Sequence, residues 1–136
     1  MDLSETKACH CLAARKAART ISRIYDEKLR AHGLRSTQFS LLAALAQRGP
    51  SRQGELAELL GVERTTLTRS AALLERQAWI EPAGGEDARE RRLRLTAAGR
   101  RKLERAYPAW KEAQERVERE RGARGVAERF VQETAG

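Results

Sequence analysis

Residues 53–76 read QGELAELLGVERTTLTRSAALLER. Gly61 divides this stretch into a short apolar helix, about Gln53 to Leu60, and a longer one that runs from near Glu63 to Arg76. Apolar residues recur in the second helix at steps of four and three, which predicts one inward face. The residues of that face are Leu67, Ala71 and Leu74. Two short helices joined by a glycine turn are typical of a helix-turn-helix.

The opposite face of the second helix carries arginines and threonines. Arginine can form paired hydrogen bonds with guanine, and threonine offers a hydroxyl to phosphate and a methyl group to thymine. We therefore predict that this helix enters a major groove. The predicted DNA-binding residues on it are Arg64, Thr65, Thr66, Thr68 and Arg69. The alternative is an ordinary solvated helix face, which does not account for the segment that follows.

That following segment predicts a small β-hairpin. Trp79-Ile80-Glu81 precedes a turn rich in Pro and Gly, and residues 92–95 alternate strictly as Arg-Leu-Arg-Leu. Alternation with a period of two is typical of a strand. A loop that carries Arg89, Arg91 and Arg92 can lie over the adjacent minor groove or backbone. The order of parts therefore predicts a winged helix-turn-helix.

Helices are also predicted on both sides of this unit. The spacing of apolar residues predicts a long helix from about Ser4 to Ala31, and a second helix from Thr37 to Arg48 with Ser36 as its N-cap. Ser51 is expected to cap the short third helix, and Thr96 a long helix that starts at Ala97. Pro108 should kink or restart that long helix, because proline removes a hydrogen-bond donor. A short helix at about 126–133 ends the chain.

The composition fits this assignment. The chain has 136 residues, the size of one domain, and its 23 Ala and 16 Leu outnumber the 15 Val, Ile and Thr that favour strands. Its net charge of +8 makes nucleic acid the first partner to consider. The larger apolar residues are few for an isolated core, which indicates that some helices pack against a second copy. We find no signal peptide or membrane-spanning stretch, and expect a cytoplasmic protein.

Several motifs make the chain resemble the MarR family of transcriptional regulators over essentially its whole length. They are Leu34–Phe39, Gly54–Val62, Arg64–Arg69, Leu74–Arg76, and the wing from Asp87 and Arg89 to Leu95, Thr96 and Gly99. The resemblance implies a homodimer on a palindromic duplex, with residues 1–33 and 97–136 as the dimerisation layer and 34–96 as the winged unit. It also implies that Arg89 enters the minor groove and that Asp87 braces it. Ser36, in the first motif, completes the predicted DNA-binding set. Ala78 and Trp79 depart from a common Gly-Leu pair.

The two cysteines, Cys9 and Cys11, raise a separate hypothesis. On one helix their directions differ by about 200°, which argues against a mutual disulfide or a shared metal site. Cys11 and Tyr25 lie on nearly the same face but about 21 Å apart, so two antiparallel copies of the helix could bring them together. This spacing resembles the organic-peroxide-sensing branch of the family, although Arg15 and Ser36 stand where that branch carries tyrosines. The alternative is a buried structural cysteine.

These observations favour a dimeric repressor that is released from DNA by a signal. The signal is a small aromatic or anionic effector, a peroxide or another thiol oxidant. A nonspecific architectural DNA-binding protein is the alternative, and the threonine-rich face argues against it. An enzyme is a third class, but the sequence has no glycine-rich phosphate loop, no His-carboxylate pair and no metal-binding motif. We therefore expect neither catalysis nor a cofactor nor a bound metal.

Overall fold

The computed structural model of the chain describes residues 1–84 and 91–121. Asp87, Arg89 and the helix predicted at 126–133 lie outside these ranges. Within them the fold is mostly helical with one antiparallel β-hairpin, as predicted. None of the described helices is long and apolar enough to cross a membrane.

The described elements follow one another in the predicted order. They are α1 His10–Leu29, α2 Ser36–Arg48, α3 Gln53–Leu60, α4 Arg64–Arg76, β1 Ile80–Ala83, β2 Arg92–Leu95 and α5 Ala97–Arg121. Short 3-10 turns at Ser4–Ala8 and Arg30–His32 flank α1, so the long first helix predicted from the sequence is divided into three parts. The strands pair antiparallel, with Ile80 opposite Leu95 and Ala83 opposite Arg92.

The main core lies where α2, α3, α4 and the hairpin meet. Three leucines of α2 are among the largest fully buried side chains. They belong to one cluster with the buried side chains of the neighbouring elements. Its largest members in these elements are Leu41, Leu42, Leu45, Leu56, Leu67, Leu74 and Ile80. A smaller cluster joins α1 to α5 through Ile24, Ala113 and Val117. The main core also includes Leu29 of α1 and Ala106 of α5, so both flanking helices share the core of the winged unit.

Two of the predicted helix caps are wrong. Ser36 is the first residue of α2 and Arg35 is the N-cap. The Ser36 amide donates to Asp26 Oδ1 of α1 at 2.7 Å, which satisfies one of the free amides at the start of α2. Arg52, and not Ser51, is the N-cap of α3. The Ser51 backbone instead exchanges two hydrogen bonds with Leu93 of β2, at 3.0 and 2.8 Å. Both serines therefore make tertiary hydrogen bonds, and neither is the N-cap of its helix.

Of the two outcomes predicted at Pro108, a kink or a restart of α5, the restart is wrong. The helix runs without interruption from Ala97 to Arg121 through the proline. A proline in a helix interior costs about 3 kcal/mol, but packing on both sides offsets this. Ala106 and Ala113 are fully buried, and the Trp110 ring stacks on Phe39 of α2 with ring centroids 5.8 Å apart.

Backbone and hydroxyl contacts tie the end of α4 to the start of α5. Ala78 has φ 59°, and the Ala78 and Trp79 amides donate to Glu75 and Leu74 carbonyls, the Schellman pattern that ends many helices. Thr96 caps α5 as predicted, since its hydroxyl accepts from the Gly99 amide at 3.0 Å. The same hydroxyl donates to the Ala78 carbonyl at 2.6 Å. This threonine therefore couples the hairpin, α4 and α5.

Candidate nucleic-acid interface

α4 presents the predicted reading face to solvent. Its anchoring residues Leu67, Ala71 and Leu74 are at most 1% exposed, so the helix is held firmly on the core. The five predicted DNA-binding residues of this helix, Arg64, Thr65, Thr66, Thr68 and Arg69, are all exposed. The periodicity of the sequence therefore assigned both faces correctly.

The turn that orients α4 depends on Gly61. This residue has φ 65° and ψ 36°, a left-handed conformation that glycine adopts without steric cost. The Val62 amide then donates to the Ala57 carbonyl at 3.0 Å, which satisfies the end of α3. Two helices with a firm turn between them leave α4 projecting a charged and hydroxylated surface.

Two contacts join the first turn of α3 to the reading face. The Thr68 hydroxyl donates to Gln53 Oε1 at 3.0 Å. The Arg64 guanidinium lies against Gly54, where an added Cβ would be 3.2 Å from Nη1. The sequence reasoning missed both contacts, since pairs this far apart in the chain follow no helical or strand period.

The hairpin adds cations beside α4. Thr68 lines a cleft of about 280 Å³ together with Arg91 and Arg92, so α4 and the base of the hairpin face the same space. Arg94 of β2 does not line this cleft, and it pairs with Glu81 of β1 at 2.8 Å. Ser36 does not line this cleft: it lies at the start of α2, half-buried against Asp26.

The structure corrects the geometry assumed for the cysteines. Cys9 is the N-cap of α1 with an extended backbone, φ −62° and ψ 116°, so the helical angle between Cys9 and Cys11 does not apply. Both cysteines are exposed in the single chain that the structure describes, and Cys11 is not buried within it. Its sulfur accepts a hydrogen bond from Arg15 Nη at 3.6 Å.

Tyr25 is held by α5 of its own chain. The tyrosine is half-buried, its hydroxyl donates to Gln114 Oε1, and its ring lies 6.3 Å from that of Trp110 between centroids. The structure therefore places Tyr25 in the contact between α1 and α5 and does not bring it to Cys11 within one protomer.

Two further clefts lie between the winged unit and the flanking helices. One, of about 690 Å³, is lined by Arg23, Arg30 and Arg35 with Asp26 and Glu27. The other, of about 390 Å³, lies between α2 and α5 and is lined by an aromatic and aliphatic set that includes Phe39, Leu103, Tyr107 and Trp110. Their chemistry suits an anionic and an aromatic group, respectively.

Comparison with known proteins places this arrangement in a family. The MarR family profile matches residues 32–90. The crystal structure of the Mycobacterium tuberculosis transcriptional regulator MosR is 35% identical, with a TM-score of 0.82 over 96% of this chain and 99% of that chain. The chain belongs to the MarR family of transcriptional regulators.

Other relatives of this MarR-family chain are also transcriptional regulators. A second structure, M. tuberculosis MosR in complex with DNA, is 39% identical with a TM-score of 0.77, and the match covers 93% of this chain and 97% of that one. An uncharacterised helix-turn-helix regulator of Bacillus subtilis, YwoH, is 38% identical over 89 residues. That match spans 65% of each protein. The relatives are thus transcriptional regulators, as the motifs implied.

Proposed function

We propose that this protein is a homodimeric, sequence-specific repressor that reads a palindromic DNA duplex with α4 and acts by binding and not by catalysis. The observation that carries the proposal is the division of α4 into a buried anchor and an exposed face of two arginines and three threonines. Arginine and threonine side chains on a helix this firmly anchored can form hydrogen bonds with base edges. A nonspecific architectural protein would need the cations alone.

The wing completes the proposed interface. Arg91 and Arg92 lie beside α4, and we assign Arg89 to the minor groove, braced by Asp87, on the family resemblance. Ser36 is proposed as a phosphate contact at the start of α2. We propose residues 34–96 as the DNA-binding unit of each protomer.

The dimer is proposed from the surface that α1 leaves uncovered. Residues 10–20 of α1 are all exposed, including Leu12 at 39%, and the described part of the helix buries only Ile24 and Leu29. Half of a helix that carries apolar residues at helical spacing is suited to packing on a second copy. Residues 1–33 and 97–136 would form this layer, and its two-fold axis would explain a palindromic site.

Fluorescence anisotropy with a labelled duplex tests sequence-specific reading. The duplex is selected from a random pool by the wild-type protein and compared with a scrambled duplex of equal length. We expect the selected duplex to bind at least ~10³-fold more tightly at the same salt concentration. Arg69→Ala should reduce this ratio, whereas Arg101→Ala, which removes the same charge from α5, should not. Equal affinity for both duplexes would contradict the proposal.

We propose that release from DNA follows from a change in the spacing of the two α4 helices. The two clefts beside the winged unit could take a small anionic or aromatic effector, because arginines line one and aromatic rings the other. An effector that favours a different spacing must bind that state more tightly than the DNA-bound state. Screening such compounds for loss of anisotropy tests this step, with Trp110→Ala and Arg30→Ala separating the clefts.

Thiol oxidation is the other proposed trigger. The Cys11 thiolate would attack an organic hydroperoxide, the O–O bond would break, and a sulfenic acid and an alcohol would form. An antiparallel pair of α1 helices would place this group near Tyr25 of the second copy and perturb the contact with α5. Mild peroxide should then weaken operator binding by the wild type and by Cys9→Ser, but not by Cys11→Ser. If wild type and Cys11→Ser respond alike, Cys11 is not the sensor.

A further inference from the structure

We infer that Gln53 is a positioning residue that fixes what Thr68 can recognise: with its hydroxyl proton held by Gln53, Thr68 presents only acceptor lone pairs to a base. The inference rests on the proposed function of α4. A threonine hydroxyl has one donor and two acceptor sites. The 3.0 Å hydrogen bond to Gln53 Oε1 occupies the donor.

The placement of both residues makes this a fixed arrangement. Gln53 is the first residue of α3, and Thr68 lies on the second turn of α4. The two helices are locked by the Gly61 turn and by Leu56 and Leu67, which are both fully buried. The hydrogen bond therefore spans two elements whose separation the core determines. Gln53 and Thr68 both line the cleft shared with Arg91 and Arg92, and the hydrogen bond between them is exposed, so a base edge can reach it.

The consequence is a defined base preference. In the major groove adenine and cytosine present amino groups, whereas guanine O6 and thymine O4 are acceptors. A hydroxyl that acts only as an acceptor forms a hydrogen bond with an amino group. Opposite a carbonyl it forms none, because a lone pair then faces the carbonyl oxygen. Thr68 should therefore favour adenine or cytosine at the base that it contacts. A free hydroxyl would rotate and pair with either class, donating to a carbonyl or accepting from an amino group.

Base preferences measured for a set of variants test the inference. Random duplexes bound by the full-length protein are sequenced, and the position that loses its preference in Thr68→Val is assigned to Thr68. In the wild type, adenine or cytosine should exceed guanine and thymine there by about fivefold, the value of one net hydrogen bond. Gln53→Leu should reduce this ratio toward one and leave the other positions unchanged.

Gln53→Glu is the conservative rescue. Its carboxylate still accepts the Thr68 proton, so the base preference should remain even though the added negative charge weakens binding to all duplexes. A structural role alone would instead make affinity and preference change together. Thermal melting of each variant at equal concentration checks folding. Thr68 is exposed and Gln53 is half-buried outside the core, so the melting midpoint should stay nearly constant.

The inference is overturned if Gln53→Leu keeps the wild-type preference, if the Thr68 position favours guanine or thymine, or if no position depends on Thr68. These outcomes differ from failure of the proposed function. If the wild type enriches no motif at all, sequence-specific reading by α4 is itself wrong. If it enriches a motif that Arg69→Ala weakens but Gln53→Leu does not alter, only the role of Gln53 fails.

Discussion

Replacing Gly99 by alanine tests the junction that joins the hairpin to α5. A Cβ built at this position would lie 1.9 Å from the Trp79 carbonyl oxygen and 2.8 Å from Leu95 Cδ1. The leucine end can rotate away, but the oxygen belongs to the backbone. That oxygen also accepts the Thr96 amide at 3.1 Å, so moving it weakens a hydrogen bond as well.

The magnitude follows from three effects. Inserting a methyl group into a packed site costs about 1–3 kcal/mol. Weakening the bond from Thr96 to Trp79 adds about 1 kcal/mol, and the better helix propensity of alanine returns about 1 kcal/mol. We expect Gly99→Ala to reduce the free energy of unfolding by about 1–3 kcal/mol and the melting midpoint by roughly 3–12 °C.

Thermal and urea unfolding followed by circular dichroism measure this change at one protein concentration, because dimerisation makes the midpoint depend on concentration. Gly54→Ala is the matched control. It is the same substitution near the start of a helix, but its Cβ meets only the movable end of Arg64, so stability should be equal or slightly higher. Equal stability of the Gly99→Ala variant would refute the account of the junction.

Three other substitutions probe the fold and the interface. Ala78→Gly should raise the free energy of unfolding by about 0.5–1 kcal/mol, because glycine relieves the left-handed φ of 59°; a loss in urea unfolding would contradict this. Thr96→Val should lower it by about 1–2 kcal/mol in the same urea unfolding, through loss of the α5 cap and the bond to Ala78. Arg89→Ala should cost about 1–3 kcal/mol of operator binding and reduce its salt dependence, with unchanged melting; equal titrations at two salt concentrations would remove the wing from the mechanism.

The sequence predicted the features that follow from the local spacing of apolar residues, such as buried helix faces and strands. It did not predict contacts between residues that lie far apart in the chain. Spacing placed Leu67, Ala71 and Leu74 on the buried face of α4, and alternation located β2. Neither the role of Ser51 beside Leu93 nor the bond between Gln53 and Thr68 could be seen, because each pair is separated by many residues.

The glycines and the proline show the same division between features set by the local sequence and features set by distant contacts. Gly61 could be read as a turn from its place between two helical patterns. Gly99 is required by the Trp79 carbonyl on another element, which the sequence does not reveal. A kink or restart at Pro108 was predicted from the intrinsic cost of a proline in a helix interior. Packing of α5 on α1 and α2 outweighs that cost, and the helix continues. Ala78 is the left-handed residue that ends α4, so the structure explains why glycine is common at this position and does not explain the alanine.

Sequencing the DNA fragments that the purified wild-type protein retains from a random duplex pool tests the central claim most directly. If two copies read DNA through α4, the retained fragments share a palindrome whose half-sites are centred about one helical turn apart. Arg64→Ala with Arg69→Ala should abolish this enrichment while the protein remains folded. Retention of fragments without any common motif, or a motif that survives loss of both arginines, would contradict the claim.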